Sequence, residues 1–270
     1  MIAPVVSASW LADHPEAVIV DVRWYLDGRS GRVAYEAGHL AGSVFVDLDA
    51  VLAAPATPEA GRHPLPAPEV FAAGMRVAGI SDDSVVVAYD DAGGMSAGRL
   101  VWMLRALGVD AALLDGGLAA WTGDLATGAG APPAPGAFAA RDWPGDRLAT
   151  IDEAAGDAGA VVIDARAAER YRGDVEPVDP RAGHIPGAVN VPFGGNLDAG
   201  GRFLAPDMLR ARFAAAGVRD DTDAIVYCGS GVTACHDLLA LEHAGLGRGR
   251  LYPGSWSQWA ATGRPSATDS

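Results

Sequence analysis

Residues 222–233 read TDAIVYCGSGVT, and residues 84–96 read SVVVAYDDAGGMS. Both open on a short apolar run rich in β-branched residues. Neither run alternates with polar residues, which is the pattern of a strand buried on both faces. Both then turn through glycines into a helical pattern, over residues 233–244 and 96–107. Gly245 and Gly108 stand where a C′ residue would stop each helix. The unit is strand, glycine-rich turn, helix, and it occurs twice.

Outward from these stretches the two copies keep step. Pro68-Glu69 matches Pro206-Asp207, 138 positions further on, and Phe71, Met75, Gly79 and Ile80 match Leu209, Phe213, Gly217 and Val218. Downstream, Gly116 and Trp121 match Gly254 and Trp259. Upstream, Val18-Ile19-Val20-Asp21-Val22-Arg23 echoes Val161-Val162-Ile163-Asp164-Ala165-Arg166, and Gly38-His39-Leu40 echoes Gly183-His184-Ile185. So many matches in one order make the chain two copies of one domain. In each copy apolar runs (AVIVDV, SVVVAY, AALLD; AVVIDA, DAIVYC, GRLY) alternate with helical patterns. That predicts an α/β fold in which each domain is a mostly parallel sheet with helices on both faces. The run GAGAPPAPG, within residues 123–145, reads as an exposed linker, so domains are expected at 1–124 and 146–270 with a linker over 125–145.

Composition removes several classes of function. Twenty basic residues against 34 acidic ones give a net charge of −14, which argues against binding nucleic acid or an anionic membrane. All the basic residues are arginines, so chemistry that needs a lysine is excluded. No apolar run is long enough to span a bilayer, and the N-terminus lacks the pattern of a secretory signal. The two cysteines, Cys228 and Cys235, form neither a disulfide framework nor a zinc site, so a reduced, cytoplasmic chain is expected.

Ligand sites in parallel sheets lie beyond the carboxyl ends of the strands. There the second copy has Cys228-Gly229-Ser230-Gly231-Val232-Thr233, and the first has Asp90 in place of the cysteine. A glycine-rich loop that opens a helix turns backbone N–H groups towards one point and favours a sulfur anion there. Ser230 and Thr233 can add hydroxyl donors. Cys235, two helical turns on, has the spacing of a packing residue. A cysteine phosphatase would need an arginine six positions after the nucleophile, where Ala234 stands. Alanine cannot clamp a phosphate, which leaves transfer of a sulfur atom through a persulfide. His39 and His184 recur in both copies and read as structural, as do Trp121 and Trp259. His236 and His243 form no metal-ligand cluster.

GHIPGAVNVPF (183–193), CGSGVTAC (228–235), PGSWSQW (253–259) and the duplicated Asp-x-Arg resemble the two-domain rhodanese family over essentially the whole chain. CGSGVT is similar to the active loop of that family's 3-mercaptopyruvate sulfurtransferases. The resemblance implies a catalytically silent first domain and a second that carries sulfur on Cys228. It implies that Ser230 is grouped with His63 and Asp49 from the first domain, with Asp47 as the rival to Asp49. Arg170 would bind the substrate carboxylate together with Arg181, for which Arg172 competes. The donor would be 3-mercaptopyruvate and the acceptor cyanide or a thiol, either thioredoxin or a small one, with no metal or other cofactor. Thiosulfate as donor, or a persulfide carrier serving a partner protein, are the alternatives.

Overall fold

The computed structural model describes residues 1–157 and 159–269. It divides into two compact units. Met1–Ala54, Pro66–Trp143 and Ala199–Phe203 form the first; Pro55–Leu65, Pro144–Asp198 and the chain from Leu204 form the second. Residues 55–65 therefore group with the second unit, although they precede most of the first in sequence.

The first unit contains strands β1 (Val5–Val6), β2 (Val18–Asp21), β3 (His39–Leu40), β4 (Val44–Phe45), β5 (Val85–Tyr89), β6 (Asp110–Leu114) and β7 (Leu125–Ala126). Five of these make one parallel sheet in the order β1-β6-β5-β2-β4, with Ile19 opposite Val87 and Val87 opposite Ala112. Its helices are α1 (Ala8–Ala12), α2 (Gly31–Ala37), α3 (Pro68–Val77) and α4 (Ala97–Ala106). The second unit contains β8 (Val161–Asp164), β9 (Val189–Asn190), β10 (Ala224–Tyr227) and β11 (Arg250–Leu251), all parallel in the order β11-β10-β8-β9. Its helices are α5 (Ala168–Arg172), α6 (Pro206–Ala215), α7 (Thr233–His243) and α8 (Ser255–Ala261). The order β6-β5-β2-β4 of the first sheet matches β11-β10-β8-β9 of the second, with β1 added in the first unit, so the sequence repeat is also a repeat of fold.

The central strands explain their composition. Val86, Val87, Ala88 and Tyr89 in β5, and Ile225, Val226 and Tyr227 in β10, are fully buried. A strand covered on both faces has no place for polar alternation. Gly108 and Gly245 follow α4 and α7 with φ of 82° and 71°, as expected of helix stops.

Both units also repeat one buried clasp. Arg23 makes a bidentate ion pair with Asp21 and donates to Gly38 O at 2.7 Å; Arg166 does the same with Asp164 and Gly183 O. Tyr89 Oη accepts from Leu40 N–H, and Tyr227 Oη from Ile185 N–H. His39 stacks on Tyr35 and His184 on Tyr171, each with Nδ1 at 2.8 Å from that tyrosine's carbonyl. These histidines hold the turn before an edge strand.

The segment read as an exposed linker is exposed over residues 127–135, and it groups with the first unit through a few anchoring contacts. Leu125–Ala126 pairs antiparallel with His39–Leu40, Gly136 N–H donates to Arg76 O, and Phe138 is buried edge-on against Phe71. Proline and glycine mark its irregular, exposed backbone, and the buried Phe138 anchors its downstream end on the core.

Candidate active site

The turn between β10 and α7 lies at the carboxyl end of the second sheet. Cys228 is buried, 2% exposed, and its Sγ accepts a hydrogen bond from Gly231 N–H at 3.1 Å. Gly231 adopts φ of 80°, a left-handed conformation that a glycine reaches without steric cost. Its carbonyl meanwhile accepts from Cys235 Sγ at 3.3 Å. Cys235 is thus a fully buried packing residue on α7 that also bonds the peptide following the one that faces Cys228.

Helix α8 grips the turn from the other side. Trp256 N–H and Ser257 N–H donate to the carbonyls of Cys228 and Gly229, both at 2.9 Å. Ser255 Oγ accepts from Cys228 N–H at 3.2 Å and donates to Tyr252 O at 2.9 Å. Ser255 has φ of 53°, among the described residues the one positive φ outside glycine. Left-handed backbone costs a non-glycine residue roughly 1–2 kcal/mol, and here it aims the hydroxyl at the backbone N–H of Cys228. Arg166 stacks 4.7 Å over the Trp256 ring, tying α8 to the buried clasp.

Residues 55–65 supply the next layer. Arg62 N–H donates to Ser257 Oγ at 3.0 Å, and His63 Nδ1 lies 2.7 Å from Ser230 Oγ. His63 and Ser230 are both buried, so the hydrogen bond between them is shielded from water. His63 groups with the second unit, not with the domain in which its sequence position puts it. Asp49 belongs to the first unit, where its carboxylate accepts from Trp24 Nε1 at 2.9 Å; Asp47, also there, caps Ala50 N–H.

Two guanidiniums flank the loop. A Cβ built on Gly229 would stand 3.0 Å from Arg62 Nη2 and 3.4 Å from Arg170 Nη1, so both guanidiniums lie directly against the loop backbone. Arg62 Nη1 pairs with Asp179, while Arg170 Nη2 pairs with Glu176 at 2.6 Å and Asp179 at 3.3 Å. Arg62 Nη2 and Arg170 Nη1, the two atoms nearest the loop, have no acceptor among the described residues. The Nε atoms of both arginines are buried and also without one. Burial raises the Asp179 carboxyl above its ordinary value, against the pull of Arg62. Burial would raise Glu176 as well, but the hydrogen bonds from Arg170 and from the Asp179 and Val178 N–H groups, together with the Arg170 charge, outweigh it and hold that carboxyl below the usual range.

Arg181 is elsewhere, and the expectation for it is corrected. Its Nε, Nη1 and Nη2 donate to the carbonyls of Ala260, Arg264, Trp259 and Thr262, which close the far end of α8. That end is about 10 Å along the helix from the turn that holds Cys228. The exposed carbonyls of a helix C-terminus attract a cation. Arg172 pairs with Asp174 in an exposed position. The arginine that faces the loop beside Arg170 is Arg62. Its signal in the sequence was adjacency: it directly precedes His63.

The matching turn of the first unit holds a carboxylate instead of a thiol. Asp90 takes the position of the cysteine, and its carboxylate accepts from the N–H groups of Ala92, Gly94, Ser96 and Ala97 at 2.8–2.9 Å. The loop therefore builds an anion cradle and fills it with its own side chain.

The profile of the family described as Rhodanese-like domain matches residues 7–124 and 148–262. An Escherichia coli protein named 3-mercaptopyruvate sulfurtransferase is 42% identical over 269 residues, covering 95% of this chain and 94% of its own. A Mycobacterium tuberculosis protein carrying the name thiosulfate sulfurtransferase SseB is 43% identical over 249 residues, covering 90% and 87%. The solved structure of a 3-mercaptopyruvate sulfurtransferase from Leishmania major superposes with a TM-score of 0.87 at 32% identity, over 97% of this chain and 75% of that one. Two matched domains, a shared strand order and full-length relatives agree: the chain belongs to the rhodanese family, as a tandem of two rhodanese-like domains.

Proposed function

We propose that the second unit is a sulfurtransferase that takes sulfur from 3-mercaptopyruvate onto Cys228 and passes it to a thiol or to cyanide. The observation that carries this reading is the pair of partnerless Nη atoms, Arg62 Nη2 and Arg170 Nη1, placed beside Gly229 next to the nucleophile. One planar carboxylate has two oxygens to offer such a pair.

The Cys228 thiolate attacks the donor sulfur, and an S–S bond forms as the S–C bond breaks. The electron pair of that bond leaves on carbon as the enolate of pyruvate. The proton lost by the donor thiol moves through Ser230 and His63 to this carbon, so pyruvate leaves and no net proton is consumed. A thiolate or cyanide then attacks the outer sulfur of the Cys228 persulfide. The acceptor departs as a persulfide or thiocyanate, and the cysteine is regenerated.

The similarly close relative named for thiosulfate makes that donor the second reading. Steady-state kinetics with both donors decides. A hydrogen bond to a charged group is worth roughly 1.5–3 kcal/mol, about ten- to a hundredfold in rate. The expected kcat/KM for mercaptopyruvate exceeds that for thiosulfate by about tenfold or more. Arg62→Ala and Arg170→Ala should each erode that advantage by lowering the mercaptopyruvate value. Wild-type preference for thiosulfate would reverse the donor assignment.

A further inference from the structure

Asp179 stands behind the two arginines rather than in front of them. Its carboxylate is 3% exposed and holds Arg62 Nη1 and Arg170 Nη2, which leaves Arg62 Nη2 and Arg170 Nη1, the two Nη atoms nearest Gly229, without an acceptor among the described residues. Glu176 builds the turn that presents it: Oε1 accepts from Val178 N–H at 3.1 Å, from Asp179 N–H at 3.0 Å and from Arg170 Nη2 at 2.6 Å. The other Glu176 oxygen reaches Arg166 Nη1 at 3.2 Å. The guanidiniums of Arg62, Arg166 and Arg170 thus meet the carboxylates of Asp164, Glu176 and Asp179 in one connected cluster. Charge for charge, the cluster is balanced before any donor arrives.

This balance bears on donor choice in a way the loop residues do not. With its inner Nη atoms held, each arginine offers one outer Nη to the loop, which matches the two oxygens of one carboxylate. A compact dianion gains no more donors from this arrangement and meets the buried Asp179 charge close behind them. We propose that Asp179 is a specificity-determining residue, which by neutralising the Arg62–Arg170 pair selects a monoanionic carboxylate donor over a dianionic sulfur donor. The inference rests on the sulfur-donor reading above. It concerns a residue that acts through the arginines and does not itself touch the donor.

Asp179→Asn keeps the shape and removes the charge. Asp179→Glu keeps the charge. Each is assayed beside wild type for kcat and KM with mercaptopyruvate and with thiosulfate, using cyanide as acceptor for both. Both donors are run on one preparation, so any loss of folded protein cancels in their ratio. Asp179→Asn should raise thiosulfate relative to mercaptopyruvate by about tenfold or more in kcat/KM, chiefly through a lower KM for thiosulfate. Asp179→Glu should return the ratio towards wild type. An unchanged ratio in Asp179→Asn, or the same shift in Asp179→Glu, overturns the proposal and leaves Asp179 as a positioner of the arginines only. The ratio is read as a change between variants. Wild-type preference for thiosulfate would therefore refute the donor reading without deciding this one.

Discussion

His63 Nδ1 and Ser230 Oγ lie 2.7 Å apart although 167 positions separate them in the chain. Their chemistry explains why two buried polar side chains are kept together. Loss of sulfur from mercaptopyruvate leaves a carbanion that must be protonated, whereas loss of sulfur from thiosulfate leaves sulfite, which needs no proton on carbon. His63→Ala should therefore lower kcat with mercaptopyruvate by about a hundredfold or more and with thiosulfate far less. Equal losses with both donors would mean that His63 supports the fold of residues 55–65 instead. At this scale Cys228, Ser230, His63 and Arg170 could be read from motifs because each sits in a distinctive local sequence. Arg62 and Asp179 could not, since their importance comes from pairing across 117 positions. Arg181 was misplaced because spacing within a proline-rich turn does not say which way a long side chain points.

The strand–turn–helix element is used for opposite ends in the two units. After β5 the cradle closes on Asp90, and after β10 it presents Cys228 beneath Gly231 N–H. The helix behind the working loop carries a polar cluster that no motif announced. Asp237 of α7 is fully buried, one oxygen accepts from Asn196 Nδ2 at 2.6 Å, and the other has no partner among the described residues. Burial pushes its carboxyl well above the ordinary value, against the hydrogen bond from Asn196 and the charge of Arg212, with Asp164 adding to the rise. A group whose pKa is raised on folding stabilises the fold below its unfolded value, and that contribution is lost as pH rises to the folded value. Unfolding free energy should accordingly fall from about pH 4 upward, the unfolded carboxylate range. Asp237→Asn, isosteric with the protonated acid, should flatten that decline and raise the melting temperature at pH 7. Denaturant melts across the pH range check it, and an unchanged slope would show that Asp237 titrates normally. Periodicity found the long central strands and helices to within a residue or two. It could not find β1, β4 or β9, which are two residues long and defined only by the neighbour they pair with.

The whole molecule is a duplicated fold in which one copy places Asp90 after its central strand and the other places Cys228. Duplication was plain in the sequence because packing constrains both copies alike: the Asp-x-Arg clasp, the stacked histidine and the buried tyrosine recur with the same partners. The exchange of short segments was not. Pro55–Leu65 grouping with the second unit and Ala199–Phe203 with the first is a tertiary outcome that local pattern does not encode. The central claim is that sulfur from mercaptopyruvate resides on Cys228 during turnover. The most direct test incubates the protein with mercaptopyruvate in the absence of acceptor, measures pyruvate released, and maps the thiols by peptide mass spectrometry. The account predicts one added sulfur atom on the peptide position of Cys228, none on Cys235, one pyruvate per sulfur bound, and neither product in Cys228→Ser. Sulfur on Cys235, or pyruvate formed by the Cys228→Ser variant, would contradict it.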